Sequence, residues 1–68
     1  MSMQVQVNGE ARDACQGTTL GTLVDTLELN RAHVAVELNR QLIPREQIDD
    51  HELSDGDCIE IVTLVGGG

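Results

Sequence analysis

"CIEIVTLVGGG", residues 58–68, sets an aliphatic run directly against three glycines. Ile59 and Ile61 alternate with their neighbours at the period of a strand, while Cys58, Val62 and Leu64 make the other parity apolar as well. A strand apolar on both faces belongs at the centre of its sheet. The rest of the chain has to supply strands for both of its sides.

Met3, Val5 and Val7 alternate with Gln4, Gln6 and Asn8, the pattern of a half-buried first strand. Asn8-Gly9 tolerates the positive φ of a type I′ turn, so "EARDAC" (10–15) returns antiparallel. Gly17 breaks the chain, and Thr19 is placed to cap a helix near residues 20–28. Its Leu20, Leu23, Val24 and Leu27 form one apolar stripe, and Asn30 is the expected left-handed stop. In "VAVELN" (34–39), Val34, Val36 and Leu38 share a face; Asn39-Arg40 then turns the chain into a short strand around Leu42-Ile43. Pro44 has no amide donor, which puts that strand at an edge. Residues 45–52 read as a polar loop with one helical turn anchored by Ile48, Leu53 as a core residue, and "SDGD" (54–57) as a tight turn.

The order predicts an α+β domain: a mixed sheet of about five strands, one main helix on one face, and the first and last strands side by side and parallel. The expected core is Val5, Val7, Leu20, Leu23, Val24, Leu27, Val36, Ile59 and Ile61.

Sixty-eight residues make one small domain. Its nineteen leucines, isoleucines and valines, with no aromatic residue, give a modest core and little material for a deep catalytic pocket. Twelve acidic residues against four arginines and no lysine give a charge of −8. That charge repels nucleic acid and anionic membrane surfaces and favours a partner with a basic face. No run approaches membrane-spanning length and no signal peptide opens the chain, so a soluble, cytosolic protein is expected. Cys15 and Cys58 lack CxxC spacing and are expected to be unpaired, partly buried small hydrophobes.

Autonomous catalysis finds no material. His33 and His51 have no companions at metal-ligand spacing, so no metal site is expected. Ser2 and Ser54 cannot build a serine triad, and Asp49-Asp50 and Asp55 with Asp57 read as solvated turn residues. Gly66 to Gly68 is not a phosphate loop, because neither a helix nor a Lys-Ser/Thr pair follows. What remains is the terminus. From Val65 onward a tail extends by ~3.5 Å per residue, and Gly67 and Gly68, lacking a Cβ, would thread a channel that any side chain blocks. Condensation of the Gly68 carboxylate with ATP would give an acyl-adenylate, and a sulfur nucleophile displacing AMP would leave a thiocarboxylate.

"MQVQVNGE", "TTLGTLVDTL", "VAVELNRQLIPREQ", "LSDGDCIEIV" and "VGGG", in register over nearly the whole chain, resemble the ThiS family of sulfur carriers. The specific parts are Asn39 with Ile43-Pro44-Arg45-Glu46, the Asp55-Gly56-Asp57 turn and the terminal Gly67-Gly68. Met1 and Ser2 precede the pattern and are expected to be dispensable.

The resemblance implies a ubiquitin-like β-grasp carrier domain over residues 1–65 with a flexible glycine tail over 66–68. It implies a carrier without an active site of its own. By the same resemblance, Gly68 would be adenylated by an E1-like (ThiF-type) enzyme that uses ATP and magnesium, and this chain would bind no cofactor itself. A cysteine-desulfurase relay would supply sulfur, and a ThiG-type thiazole synthase would accept it for the thiazole ring of thiamine. Gly66 and Gly67 would occupy the partner's channel, with Leu64 and Val65 docking beside it. The small subunit of molybdopterin synthase shares this chemistry, but "TLVGGG" lacks the proline usual in that family. A protein-modifying tag and a passive ubiquitin-like module are the other readings.

Overall fold

A computed structural model describes residues 2–64. The expectations for Val65, Gly66, Gly67 and Gly68 lie outside the described residues.

Strand β1 (Ser2–Val7) pairs antiparallel with β2 (Glu10–Cys15). Asn8 and Gly9 between them have φ of 51° and 84°, the two positive values a type I′ turn requires. Ser2 already lies in the ladder, opposite Cys15. Helix α1 (Leu20–Thr26) begins where Thr19, in extended conformation, accepts a hydrogen bond from the Thr22 amide at 3.1 Å. Strands β3 (Val34–Leu38) and β4 (Gln41–Ile43) form a second hairpin, whose turn residues Asn39 and Arg40 have φ of 51° and 71°. Strand β5 (Cys58–Thr63) completes the sheet in the order β2-β1-β5-β3-β4. It runs parallel to β1 and antiparallel to β3. This is the β-grasp arrangement, with the last strand central and the first beside it.

Helix α1 packs on one face. The buried apolar residues are Val5, Val7, Leu20, Leu23, Val24, Val34, Val36, Ile43, Ile48, Leu53, Ile59 and Ile61. Ile48 anchors the second of two 3-10 segments, Arg45–Asp50, at 1 % exposure; the first is Arg31–His33.

The structure corrects the sequence reading at three places. The helix ends at Thr26, and Leu27 is its half-buried cap, packing against the core from the periphery. The left-handed residue there is Glu28 (φ 60°), not Asn30. Its amide bonds to the Asp25 carbonyl at 3.0 Å and the Leu29 amide to that of Val24 at 3.3 Å, a Schellman closure that turns Leu29 onto the core. The reversal comes two residues before Asn30 and leaves Leu29 half-buried against the core. Asn30, with φ of −82°, instead caps the next segment by accepting from the Ala32 amide at 2.9 Å.

Second, both cysteines are exposed and free. Cys15 lies opposite Ser2 and Cys58 opposite Gln6, the parity that faces away from the helix. Third, the outward parity of β5 is not buried: Val62 is 53 % and Leu64 47 % exposed. The strand is central in hydrogen bonding but covered on one face only.

Candidate functional site: the exit of the central strand

The Leu64 amide donates to the His33 carbonyl at 2.7 Å, so pairing between β5 and β3 continues one residue past the strand. Leu64 is the last described residue. The described residues therefore end on the central strand, at a point pinned by the sheet ladder.

Sequence reasoning named Leu64 as a docking residue and missed Val62 and Leu42, which share its outward exposure. A signal for Leu42 was present. The two-residue turn at Asn39-Arg40 pairs Leu38 with Gln41, which sends Ile43 inward opposite Val36 and Leu42 outward opposite Glu37. Leu42 is 68 % exposed, the largest exposure of a large aliphatic among the described residues.

Two polar networks fix the strand that carries this exit, and a third joins the segments next to its end. Asn8 is the first. The ladder between β1 and β5 registers only Gln6 with Cys58 and Val7 with Ile59. Beyond it the Asn8 side chain continues the pairing: its Nδ2 donates to the Ile61 carbonyl (3.2 Å) and its Oδ1 accepts from the Ile61 amide (2.8 Å). One asparagine thus serves the turn through its φ and the sheet through its amide.

The second network contains the motif residues of the sequence. Asn39 Oδ1 accepts from the Cys58 amide at 3.0 Å, and its Nδ2 donates to Asp57 Oδ1 at 3.1 Å. Asp57 Oδ2 accepts from the Ser54 amide at 2.7 Å, and Asp55 Oδ1 from the Gln4 amide at 2.8 Å. Gly56, at φ 87°, donates its amide to the Gln4 carbonyl at 2.8 Å. These residues tie the β3–β4 turn, the start of β5 and strand β1 together. Their service is to the frame.

The third lies behind the exit. Arg31 forks onto Asp25, Nε to Oδ1 at 2.9 Å and Nη2 to Oδ2 at 2.8 Å, and its Nη1 donates to Asp49 Oδ2 at 2.8 Å. It joins α1 to both 3-10 segments. The hydrogen bonds from Arg31, with its charge, hold the Asp25 carboxyl below its usual range against a smaller desolvation penalty. Its bonds to Asp25 and Asp49 push the guanidinium further up. Arg45 Nη2 donates to the Ala32 carbonyl at 3.1 Å, one residue before the carbonyl that receives Leu64.

Among the described residues no group of three or more His, Cys, Asp or Glu side chains is placed to hold a metal, and no buried side-chain polar atom lacks a partner. None of their helices is long and apolar enough to cross a membrane.

The model of the ThiS family matches residues 5–68. The chain is 35 % identical over 66 residues to the sulfur carrier protein ThiS of Escherichia coli, covering 97 % of this chain and all of that one. It is equally identical, over 66 residues, to part of a thiazole synthase from Paramagnetospirillum magneticum, where the match takes up only 20 % of the longer chain. Among solved structures, the crystal structure of the thiamine biosynthesis protein ThiS from Geobacter metallireducens aligns with a TM-score of 0.76 at 33 % identity, over 97 % of this chain and all of that one. A family match that runs from β1 to residue 68, on a backbone shared with a solved member, means that the chain belongs to the ThiS family.

Proposed function

We propose that this protein is a sulfur carrier for thiazole formation in thiamine biosynthesis, and that Gly68 is the residue that carries the sulfur. The observation that carries the reading is the family match through residue 68, in a chain whose described residues end on a pinned central strand. The sulfur-carrier name of the Escherichia coli relative supports it.

In the proposed cycle an E1-like enzyme binds ATP and magnesium. The Gly68 carboxylate attacks the α-phosphorus, and pyrophosphate leaves. A persulfide from a cysteine-desulfurase relay attacks the acyl carbon and expels AMP. A second thiol then cleaves the S–S bond, leaving a disulfide and the Gly68 thiocarboxylate. The chain is a co-substrate that positions the acyl group and lends no side chain to the chemistry. Gly66 and Gly67 fit a narrow channel because they add no Cβ, while Leu64 and Val65 rest at its mouth. Thiazole synthase is the proposed acceptor. A segment like this chain, within a longer chain named thiazole synthase, supports that pairing. The setting proposed for the cycle is the cytosol.

Incubation with ATP, magnesium, the activating enzyme and a sulfur donor should replace one oxygen by sulfur in the intact mass. Deleting Gly68 shortens the reach by ~3.5 Å, and appending an alanine moves the reacting carbon by as much. Both variants should fold and remain unmodified, whereas Gly66→Ala should only slow the reaction. The Cys15→Ser, Cys58→Ser double variant should still be converted. Native-rate conversion of the alanine-extended chain without trimming would refute Gly68 as the acceptor; attachment to other proteins would make the chain a modifier.

A further inference from the structure

Asn8-Gly9 is the one place in the chain where an asparagine precedes a glycine; Asn30 and Asn39 each precede an arginine. A following glycine leaves its amide nitrogen unshielded by any side chain. That nitrogen can attack the asparagine side-chain carbon and close a five-membered ring. Asn8 and Gly9 are both exposed, and nothing stands within 4 Å of the place a Cβ would take on Gly9. Among the described residues the Gly9 amide has no hydrogen-bond partner. The nucleophile is therefore free. The electrophile is not. Asn8 donates its backbone amide to the Ile59 carbonyl at 2.9 Å, and its side-chain amide is held at both ends by Ile61 of β5. Turning its Cγ toward Gly9 means breaking both side-chain bonds.

Two other turns provide the contrast. Asp55-Gly56 also has a left-handed glycine, but the Gly56 amide donates to the Gln4 carbonyl at 2.8 Å, so its nitrogen is itself engaged. At Asn39 the side chain is held by Cys58 and Asp57, and the next residue carries the bulk of an arginine.

We infer that Asn8 is a deamidation site, and that its two bonds to Ile61 gate the reaction, so that opening of the β1–β5 seam is recorded covalently. The Gly9 nitrogen gives up its proton to solvent base and bonds to Asn8 Cγ. The Cγ–Nδ2 bond breaks and ammonia leaves, giving a succinimide. Water then opens the ring at Cγ, giving aspartate, or at the backbone carbonyl carbon, giving isoaspartate. One water is consumed, one ammonia is released, and nothing is oxidised or reduced. Either product adds one negative charge to the −8 of the chain and removes the donor that served the Ile61 carbonyl. Isoaspartate also lengthens the main chain by one carbon within a two-residue turn, which disturbs the register of β1 against β2. Neither product restores both bonds, so the first strand is left loosely fastened to the last. The inference is independent of sulfur carriage at Gly68.

The full-length chain is aged in mildly alkaline buffer, native or in urea above its unfolding midpoint. Peptide mass spectrometry reads the site, and a protein isoaspartyl methyltransferase is the probe for isoaspartate. Asn8 should be the first residue converted, at a native rate at least ~tenfold below that in urea, because reaction waits for the seam to open. Ile59→Val thins the buried packing beside Asn8; it should speed native conversion about two- to tenfold and leave the rate in urea unchanged. Converted chains, separated by their extra charge on an anion exchanger, should unfold at lower urea than unconverted chains from the same sample. Equal native and unfolded rates, or no acceleration in Ile59→Val, would remove the gate. Another residue reacting ahead of Asn8 would remove the site, and a converted chain with the wild-type midpoint would remove the consequence. Any one of these results overturns the inference.

Discussion

Asn8→Ala tests whether one side chain closes the seam between the first and last strands. The substitution removes two hydrogen bonds, at 2.8 and 3.2 Å, each worth a net ~0.5–1.5 kcal/mol. It leaves the Ile61 amide, in a residue only 7 % exposed, without its partner. A buried donor stranded in this way can cost about 1–3 kcal/mol, part of which is already counted in the bond. Alanine must also hold the left-handed backbone that Asn8 adopts at φ 51°, for a further ~1 kcal/mol. The expected loss is about 2–4 kcal/mol. A domain of this size has a total stability of about 3–10 kcal/mol, so the variant should be visibly marginal. Asn8→Asp keeps the acceptor and a residue tolerant of positive φ, but sets a carboxylate against the Ile61 carbonyl; it should fall between wild type and alanine. Urea unfolding measures the loss, and amide exchange at Ile61 locates it. An alanine variant within about 0.5 kcal/mol of wild type, or an Ile61 amide as protected as before, would refute the reasoning.

Leu23, 6 % exposed in the helix stripe, should cost about 2–5 kcal/mol when cut to alanine, read as a fall in urea midpoint. Gly21→Ala should be close to neutral. Its new methyl collides with the Asp49 carboxylate and the Arg31 Nη2, the ends of two movable side chains, so exposed ion pairs worth ~0–1 kcal/mol each are disturbed while helix propensity gains ~1 kcal/mol. A shift beyond about 2 kcal/mol would mean that Asp49 cannot step aside. Asp25 sets a pH test: because folding lowers its pKa, its contribution is complete above the usual aspartate range and disappears as pH falls through and below it. Asp25→Asn should remove that part of the acid dependence of the urea midpoint, with little change at neutral pH, since the pair is exposed.

The fold was legible where a residue type answers a single demand. Asn8-Gly9 and Asn39-Arg40 stand at their turns, Thr19 caps its helix, and the alternating valines face the core. It was misread where two demands compete. Asn30 suits a left-handed stop, but the helix closes at Glu28 with Leu29 half-buried on the core, and that packing depends on a core assembled from distant strands. The apolar outward parity of β5 led to the right place in the sheet for a reason that does not hold, since Val62 meets solvent. Composition does not say whether an outward aliphatic is covered by the chain's own layers or by another protein. The site shows the same division. The motif Asn39, Asp55 and Asp57 was visible as a signature, yet only the folded chain reveals that it fastens strands.

The position of β5 also orders events during synthesis. The β1–β2 and β3–β4 hairpins are local and can form as soon as each is made. Neither pairs with the other; they meet only through the last strand, across separations such as the 53 residues between Asn8 and Ile61. Such long closures slow folding, and the sheet stays in two halves until residues 58–63 have been translated. A nascent chain therefore cannot offer a finished carrier domain ahead of the segment that bears its exit. Completion of the sheet and arrival of its last strand therefore coincide.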